Sequence, residues 1–303
     1  MITRLSLILL LCLSLAPGVV PQTSRTFDIE GHRGCRGLMP ENTLPAFLKA
    51  IDLGVNTLEL DVVVSRDQQL VVSHDPFFSA DFTLDPDGKP ISGDQQKQLN
   101  LFQMDYAEIR RYDVGSLGNK RFPEQRRLKT YKPLLSEVFR ETRRYIQAHG
   151  LTQVRYNVET KSTPAGDGIF NPKPEIFAKL LYDEILKNEI QKYVMVQSFD
   201  VRTLQEFRKY QVKLPLVLLV ENRDGIQRNI DRLGFQPDVY SPNFLLVDEP
   251  TVTYCRQRGI LIIPWTVNEE ADMQSMKKLS LNGLITDYPD RAIRIFRSRI
   301  NSN

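Results

Sequence analysis

Short runs of Val, Ile, Leu and Tyr alternate with longer amphipathic stretches along most of the chain. Each run has the length and composition of a β-strand. Eight strands are predicted, at residues 28–33, 57–62, 155–161, 193–198, 214–220, 238–241, 260–266 and 284–286. The stretches between them have the spacing of helices with one apolar face, most clearly at 41–52 and 134–148. Gly54, Gly150 and Gly259 stand where these helices should end.

Eight strands that are each followed by a helix predict a (β/α)8 barrel, the TIM-barrel fold. The competing arrangement is an open, doubly wound sheet. No Gly-rich phosphate-binding turn follows the first strand, so that arrangement lacks its usual signal. We therefore expect residues 27–74 and 134–303 to form the barrel.

Residues 70–74 form a ninth strand-like run, which follows the second strand too closely for a parallel crossover. The two runs should therefore form an antiparallel hairpin, with a two-residue turn at 67–68. This register pairs Asp61 with His74 and brings His74 back beside Asp61 above the rim of the barrel.

The segment 75–133 fits no element of the barrel and is predicted to be an inserted subdomain over the barrel mouth. It contains several Gly and Pro residues and one helical candidate at 103–112. Its last part, 120–132, carries six basic residues and one Glu. This basic stretch is either a solvated surface or a feature that attracts an anionic substrate.

Polar residues occupy alternate positions on three of the predicted strands. The polar sets are Asp28, Glu30 and His32; Glu59 and Asp61; and Asn157, Glu159 and Lys161. A polar face turned toward the helices would be buried without partners, which is costly for each group. The polar faces should therefore point into the barrel, at the carboxyl ends of the strands, where barrel enzymes carry their active sites.

Three carboxylates, those of Glu59, Asp61 and Glu159, are expected to converge from neighbouring strands. Three carboxylates cannot all stay ionised in a small space without a cation. Oxygen ligands suit a hard ion, Ca²⁺ or Mg²⁺, better than Zn²⁺. We expect Ca²⁺ first and Mg²⁺ second. The alternative is a structural salt-bridge cluster with Arg33 and Lys161.

Composition narrows the possible chemistry. The 303 residues carry 40 basic and 37 acidic side chains, a formal charge of +3, so a dedicated nucleic-acid binder is not expected. Only three histidines occur, His32, His74 and His149. His32 and His74 lie at strand ends beside the carboxylates and fit an acid–base pair; the alternative for each is a satisfied buried side chain. His149 precedes a glycine at a helix end, and no catalytic role is assigned to it.

Positive charge at the same mouth comes from Arg33 and Lys161. Together with a hard cation they would form a site for an anion, most simply a phosphate. The cation and Arg33 would neutralise the non-bridging oxygens of a phosphodiester. One histidine would activate the nucleophile and the other would protonate the leaving oxygen.

The first residues have the pattern of a secretory signal at 1–18. Arg4 precedes an apolar stretch, Leu5 to Ala16, and small residues follow. The stretch is too short to span a bilayer, so no stable membrane span is expected; an uncleaved anchor or a buried strand is the alternative. The protein is therefore predicted to be exported, to the periplasm or the medium. Cys35 and Cys255 could pair there, but free thiols are favoured.

Eight short blocks of sequence resemble the glycerophosphodiester phosphodiesterase family, in order and with suitable spacing. They are His32-Arg33-Gly34, Pro40-Glu41-Asn42-Thr43, Glu59-Leu60-Asp61-Val62, His74-Asp75, Glu159-Thr160-Lys161, Gln197-Ser198-Phe199, Trp265-Thr266-Val267-Asn268 and Thr286-Asp287-Tyr288-Pro289. The resemblance covers about residues 28–292 and extends to exported family members that carry a long insertion.

The resemblance implies a (β/α)8 barrel that hydrolyses glycerophosphodiesters to glycerol 3-phosphate and an alcohol. It implies these site residues: a divalent cation on Glu59, Asp61 and Glu159; His32 and His74 as the acid–base pair; Arg33 and Lys161 at the phosphate; Trp265 near the substrate; and Glu41 touching or supporting the metal. It also implies that a glycerol hydroxyl attacks first, giving a cyclic phosphate.

Two other functions stay open. Related barrels include phospholipases D that act on lysolipids, and the width of the pocket depends on the insertion. A non-enzymatic binding protein on a decayed barrel is the other, although the intact His and carboxylate positions argue against decay. A small-molecule phosphodiester is the expected partner.

Overall fold

The structure is a computed structural model that describes residues 26–297. The predicted signal at 1–18 lies outside the described residues. Nine strands are present: β1 (Asp28–Gly31), β2 (Thr57–Val64), β3 (Leu70–Val72), β4 (Arg155–Thr160), β5 (Val194–Ser198), β6 (Leu216–Val220), β7 (Val239–Pro242), β8 (Leu261–Ile262) and β9 (Gly283–Thr286). All eight predicted barrel strands are found, and β3 is the predicted hairpin partner of β2.

Eight parallel strands form the barrel in the order β8-β7-β6-β5-β4-β2-β1-β9. Contacts between β8 and β9 bring the two ends of this order together. The amide of Asn282 donates to the carbonyl of Ile262 (3.1 Å), and that of Ile285 donates to Pro264 (2.9 Å). The predicted (β/α)8 barrel is confirmed.

Ten helices are described: α1 (Leu44–Leu53), α2 (Gly93–Gln96), α3 (Tyr106–Ile109), α4 (Leu135–His149), α5 (Pro174–Lys187), α6 (Val201–Lys209), α7 (Ile226–Leu233), α8 (Glu249–Arg258), α9 (Glu270–Lys278) and α10 (Pro289–Arg297). Gly54, Gly150 and Gly259 end α1, α4 and α8 in the left-handed conformation, as predicted. His149 is the last residue of α4. Within residues 26–297, no helix combines the length and the hydropathy needed to cross a bilayer.

The two faces of the barrel strands have different surroundings. Outward residues such as Ile29, Leu58 and Leu60 pack against the helices in the main core. Inward residues divide into two groups. One inward residue from each of β5, β6, β7 and β9, together with Ile263 after β8, forms a small apolar cluster. The inward residues of β1, β2 and β4, joined by Gln197 of β5, are acidic or amide side chains. The predicted direction of the polar faces is confirmed.

The hairpin forms, but the predicted register is wrong by one residue. Val64 pairs with Leu70, so the loop has three residues, 66–68, instead of two. Gln68 takes a left-handed conformation (φ 58°) to close it, as loops of this length require. Asp61 is consequently opposite Ser73, whose amide donates to its carbonyl (3.0 Å). His74 lies beyond the paired residues, and the slip does not turn its side chain away from the barrel mouth.

The segment 75–133 contains only two short helices, and the helix predicted at 103–112 is reduced to α3. Its apolar side chains, Phe78 and Leu101 among them, form a separate cluster with the outer face of the hairpin. Gln125 donates to the carbonyl of Arg36 (2.8 Å), and Asn100 donates to that of Ile169 (2.7 Å). Both acceptors lie in loops that follow barrel strands, so these contacts lie on the catalytic face of a (β/α)8 barrel.

Both described cysteines, Cys35 and Cys255, are buried free thiols. Burial raises the pKa of each to about 12. Neither is therefore a reactive thiolate near neutral pH.

Candidate active site

The three predicted carboxylates meet at the carboxyl ends of two adjacent strands. Glu59 and Asp61 come from β2, Glu159 comes from β4, and the register places Asp61 beside Glu159. One oxygen of each carboxylate lies within 4.8 Å of the other two. All three side chains are buried, so the cluster is removed from bulk water.

Each carboxylate is oriented by specific donors. The Oε2 atom of Glu59 accepts from the backbone amide of Arg33 (2.8 Å), and its Oε1 atom accepts from Gln197 (2.7 Å). Arg33 directs its amide at Glu59 from a left-handed conformation (φ 51°), a strained geometry for this residue type. The Oδ2 atom of Asp61 accepts from the Asn42 side chain (2.8 Å).

The carboxylates differ in their protonation. Burial, together with the charges of Asp61 and Glu159, raises the pKa of Glu59 well above its ordinary value. Burial also raises the pKa of Glu159, against the charge of Lys161. Burial opposes ionisation of Asp61 too, but the charge of Arg33 and its neighbours outweighs it and lowers the pKa. The protein alone thus supplies too little positive charge to keep all three ionised.

This cluster fits a hard divalent cation. The Oδ1 atom of Asp61 is buried and has no hydrogen-bond partner in the described part of the chain. The 4.8 Å limit between ligand atoms is about twice a Ca²⁺–oxygen distance. The salt-bridge alternative is partly present, because Lys161 lies 2.7 Å from Glu159 and Arg33 lies 3.3 Å from Asp61. This salt-bridge arrangement leaves Asp61 Oδ1 without a hydrogen bond from the described residues and the pKa of Glu59 raised. A cation bound by the carboxylates would give Oδ1 a partner and lower that pKa.

His32 is oriented by Asp287, a residue in the loop after β9. The His32 Nδ1 atom lies 2.7 Å from Asp287 Oδ1, and Arg36 donates to both Asp287 oxygens (2.9 Å each). Burial raises the pKa of Asp287, but contacts with His32 and Arg36 outweigh burial and hold it well below its ordinary value. An ionised carboxylate only accepts, so Nδ1 of His32 carries the proton. The lone pair of Nε2 then faces the cluster, 3.9 Å from Glu59.

His32 is neutral near pH 7. Burial, helped by the charge of Arg36, lowers its pKa to about 4, against the pull of Asp287. A neutral imidazole with Nε2 unprotonated can accept a proton.

His74 has a matching carboxylate in the next residue. Its Nδ1 atom lies 2.8 Å from Oδ1 of Asp75. Although burial acts in the opposite direction, the hydrogen bond to His74 lowers the pKa of Asp75. The Nδ1 atom of His74 is therefore also the protonated donor, and its Nε2 atom is left for the cavity.

Lys132 supports this second histidine from the inserted segment. Its ammonium group donates to Ser73 Oγ (2.8 Å), which in turn donates to the Asp75 carbonyl (2.7 Å). Lys132 is buried, and burial lowers its pKa. The other five basic residues of 120–132 are exposed, so only one member of that stretch reaches the site.

A cavity of about 370 Å³ joins these groups. Its lining includes His32, Glu59, His74, Glu159, Lys161 and Trp265 among the residues predicted from sequence. Asp61 and Arg33 lie behind this surface. The guanidinium group of Arg33 pairs with Glu41 (2.7 Å), so Glu41 contacts Arg33 and is outside the carboxylate cluster.

Trp265 forms the opposite wall of the cavity. Its indole Nε1 atom donates to the Ser241 carbonyl (2.9 Å), and its ring packs edge-to-face against Phe199, with centroids 5.3 Å apart. The structure thus brings the sequence-predicted residues together around one space. Their individual roles stay predictions.

Sequence reasoning missed four residues that shape the site: Asn42, Lys132, Gln197 and Asp287. Gln197 and Asp287 are polar residues at the ends of barrel strands, the same signal that identified Glu159. Asn42, Gln197 and Asp287 all lie in blocks that carry the family resemblance, but no role was assigned to them. No pattern in the sequence marks Lys132.

A second space, of about 620 Å³, opens at the other end of the barrel strands. Asp28 and Arg155 line it and pair with each other (2.6 Å). It contains none of the histidines or clustered carboxylates, so it is not the candidate active site.

A (β/α)8 barrel that gathers two histidines and buried carboxylates at the carboxyl ends of its strands has the site of an acid–base enzyme, and comparison with known proteins makes the class specific. The sequence model of the glycerophosphoryl diester phosphodiesterase family matches residues 32–291. The chain belongs to this family, whose members are phosphoric diester hydrolases, and the resemblance noted in the sequence is confirmed.

Curated relatives agree over nearly their whole length. A glycerophosphodiester phosphodiesterase of Caldanaerobacter subterraneus is 29% identical over 88% of this chain and 96% of its own. One from Bacillus subtilis is 27% identical over 86% of this chain and 83% of its own. Among solved structures, a protein from Silicibacter pomeroyi assigned as a glycerophosphoryl diester phosphodiesterase has a TM-score of 0.80 and 29% identity, covering 90% and 94% of the two chains.

Proposed function

We propose that this phosphodiesterase uses a divalent cation to hydrolyse glycerophosphodiesters to sn-glycerol 3-phosphate and an alcohol. The observation that carries the proposal is one cavity that joins an all-oxygen carboxylate cluster to two histidines, each fixed by an aspartate. A phosphodiesterase of Oleispira antarctica has the same fold, with a TM-score of 0.70 and 19% identity over 89% of this chain and 97% of its own. Its structure holds the product sn-glycerol 3-phosphate.

Glu59, Asp61 and Glu159 would hold the cation, with Ca²⁺ first and Mg²⁺ second. When bound, the cation supplies positive charge for the non-bridging oxygens of the phosphate. Lys161 lines the cavity and can add to that charge. The guanidinium group of Arg33 pairs with Glu41 and Asp61. Its positive charge would therefore act on the phosphate from behind the cavity lining.

The histidines divide the proton transfers. The Nε2 atom of neutral His32 takes the proton of the attacking hydroxyl as its oxygen bonds to phosphorus. His74, in the doubly protonated form, gives its Nε2 proton to the leaving oxygen as the other phosphorus–oxygen bond breaks. Asp287 keeps His32 in the tautomer that a base needs, and Asp75 balances the charge of the His74 imidazolium. If water attacks, glycerol 3-phosphate forms directly. If a hydroxyl of the substrate glycerol attacks, a cyclic phosphate forms, and water then opens it to glycerol 3-phosphate.

The test is hydrolysis of glycerophosphocholine by the mature protein with Ca²⁺ or Mg²⁺. Release of glycerol 3-phosphate, abolished by chelation and restored by the ion, is expected. His32→Ala and His74→Ala should each lose about 10²- to 10⁴-fold in kcat while melting like the native protein. No hydrolysis of any glycerophosphodiester with either ion would overturn the proposal.

The metal site has its own comparison. Glu159→Gln should weaken cation binding, measured by titration calorimetry, because it removes one charged ligand. The matched control is Glu206→Gln, which removes the same charge from a surface pair with Lys209 and should leave cation affinity unchanged. Equal affinity in both variants would remove Glu159 from the metal site.

A second candidate function is hydrolysis of lysophospholipids. A rat lysophospholipase D is 24% identical over 86% of this chain and 83% of its own. Loops that follow barrel strands expose Ile169, Phe199 and Leu245, by 51%, 41% and 77%. These apolar side chains offer contacts for an acyl chain. Adding lysophosphatidylcholine to the substrate panel separates the two candidates.

We also propose that the protein is exported, because residues 1–18 have the pattern of a secretory signal. Fractionation of cells that produce the full chain tests it. A mature protein outside the cytoplasm, shortened near residue 18, is the expected result, and full-length cytoplasmic protein would contradict it.

A further inference from the structure

The part of the active-site cavity wall that follows β5, β6 and β8 has an acidic and aromatic character that the proposed reaction does not use. The strand order places β6 four strands from β1 in either direction around the barrel. Glu221 follows β6 and lines the same cavity as His32. The cavity thus has a carboxylate opposite its catalytic end.

Glu221 has no structural role that would explain it. Its side chain is exposed, and it forms no ion pair with any residue between 26 and 297. Arg232 lines an adjoining space together with Glu221, but it pairs with Asp224 instead (2.7 Å). The Glu221 carboxylate is therefore available to a ligand.

Two aromatic rings line the same cavity as this carboxylate. Phe199 is 41% exposed, and its ring meets that of Trp265 edge-to-face at 5.3 Å and 88°. The face of an aromatic ring attracts cations, and indole does so most strongly. The Nζ atom of Lys161 lies 6.0 Å from the centroid of the Phe199 ring, at the outer limit of such an attraction. Lys161 does not occupy the face of the Trp265 ring.

Apolar side chains lie beneath this part of the cavity wall. Met195, Val217, Val239, Ile263 and Ile285 fill the barrel interior next to Trp265. A carboxylate and aromatic faces above an apolar floor suit an organic cation, whose methyl or methylene groups pack while its charge is balanced.

We propose that Phe199, Glu221 and Trp265 bind the ammonium end of a zwitterionic substrate, a choline or ethanolamine head group. This inference rests on the proposed function, because it places the phosphate at the carboxylate cluster and Lys161. A glycerophosphodiester with a cationic head group then spans the cavity from the carboxylate cluster and Lys161 to Glu221. The site selects head groups by charge.

The test compares cationic and uncharged substrates with one isosteric substitution. For native protein and Glu221→Gln, kcat/KM is measured on glycerophosphocholine and on glycerophosphoglycerol. The ratio of the two values should fall about tenfold in the variant, mainly through KM for glycerophosphocholine. Phe199→Leu keeps an apolar side chain but removes the ring, and it should lower the same ratio.

Inhibition gives a second measurement without turnover of the head group. Choline should inhibit native enzyme competitively, and its uncharged tert-butyl isostere should inhibit at least several-fold more weakly. The difference should be lost in Glu221→Gln. Melting temperatures of both variants establish that they fold.

The outcomes separate this inference from the proposed function. If native protein hydrolyses glycerophosphoglycerol but the ratio is the same in Glu221→Gln, the head-group site is wrong and the phosphodiesterase function stands. An equal loss on both substrates also overturns it, because Glu221 would then bind the shared glycerol or position the phosphate. If native protein hydrolyses neither diester, the proposed function itself fails.

Discussion

Replacing Asp287 by Asn tests whether the orientation of His32 is essential for catalysis. The carboxylate accepts four side-chain hydrogen bonds: from His32 and Arg36 Nε on Oδ1, and from Arg36 and Asn268 on Oδ2. An amide has one accepting oxygen, so either orientation turns its NH₂ group toward two of these donors. If the NH₂ group faces His32, the imidazole must move its proton to Nε2, and the lone pair that faces the cavity is lost.

The expected loss follows from the role that this lone pair would have. General base catalysis contributes about 10²- to 10⁴-fold, so kcat of Asp287→Asn should fall by that factor, with a small change in KM. The substitution also leaves the buried charge of Arg36 without its partner. Breaking a buried pair in this way costs about 3–5 kcal/mol of stability. Rates must therefore be measured well below the melting temperature of the variant.

Arg36→Met is the matched control, because it breaks the same pair but keeps the carboxylate that holds His32. It should lose similar stability and much less kcat. Because the charge of Arg36 helps to lower the pKa of His32, this control should also shift the acid limb of kcat/KM upward from about pH 4. Equal losses of kcat in the two variants would refute the role of Asp287 in fixing the tautomer.

Three further predictions follow from the same contacts. Because the pKa of Glu59 is raised, cation binding should release protons, and it should weaken as pH falls. Calorimetry in buffers of different ionisation enthalpy measures the number of protons released. Binding without proton release would contradict this prediction. His32 has a folded pKa of about 4 against an unfolded value of 6.5, so the unfolded state binds the extra proton between these values. The free energy of unfolding should therefore fall as pH is lowered from 6.5 to 4, by up to about 3 kcal/mol from this group. Denaturant titrations at several pH values measure this dependence, and His32→Gln should reduce the slope of the free energy of unfolding against pH. An identical slope in the variant would exclude His32 as its source. Asn42→Ala removes the donor to Asp61 and should weaken cation affinity about 10- to 100-fold. The control is Asn222→Ala, which removes a hydrogen bond to Asn229 outside the carboxylate cluster and should leave cation affinity unchanged. Equal affinities in the two variants would show that Asn42 does not orient the Asp61 carboxylate.

The sequence predicted the barrel and most of the site because both depend on local patterns. Alternating polar residues at strand ends identified Glu59, Asp61 and Glu159, since a barrel gathers all strand ends at one mouth. The hairpin register could not be obtained in this way. A three-residue loop with Gln68 in the left-handed conformation competes closely with a two-residue turn, and no glycine marks it.

Residues that act through tertiary contacts escaped prediction for a different reason. Lys132 reaches Ser73 from the end of the inserted segment, 59 residues along the chain. Its neighbours in sequence are basic and exposed, so local pattern assigns it to the same surface. Only the packing of Pro133 and Leu134 against β3 turns Lys132 inward.

The polar half of the barrel interior continues below the site, where it supports the carboxylate cluster. Asn157 donates to Glu30 (2.8 Å) and to Gln197 (3.0 Å), and Gln197 donates to Glu59. Burial, with the charge of Asp28, raises the pKa of Glu30 well above its ordinary value and so favours its neutral form. A neutral acid adds no negative charge beneath the three carboxylates, yet it still accepts the Asn157 amide. This chain of amides fixes which oxygen of Glu59 accepts from Gln197 and which accepts from Arg33, and so it orients the carboxylate that would bind the proposed cation.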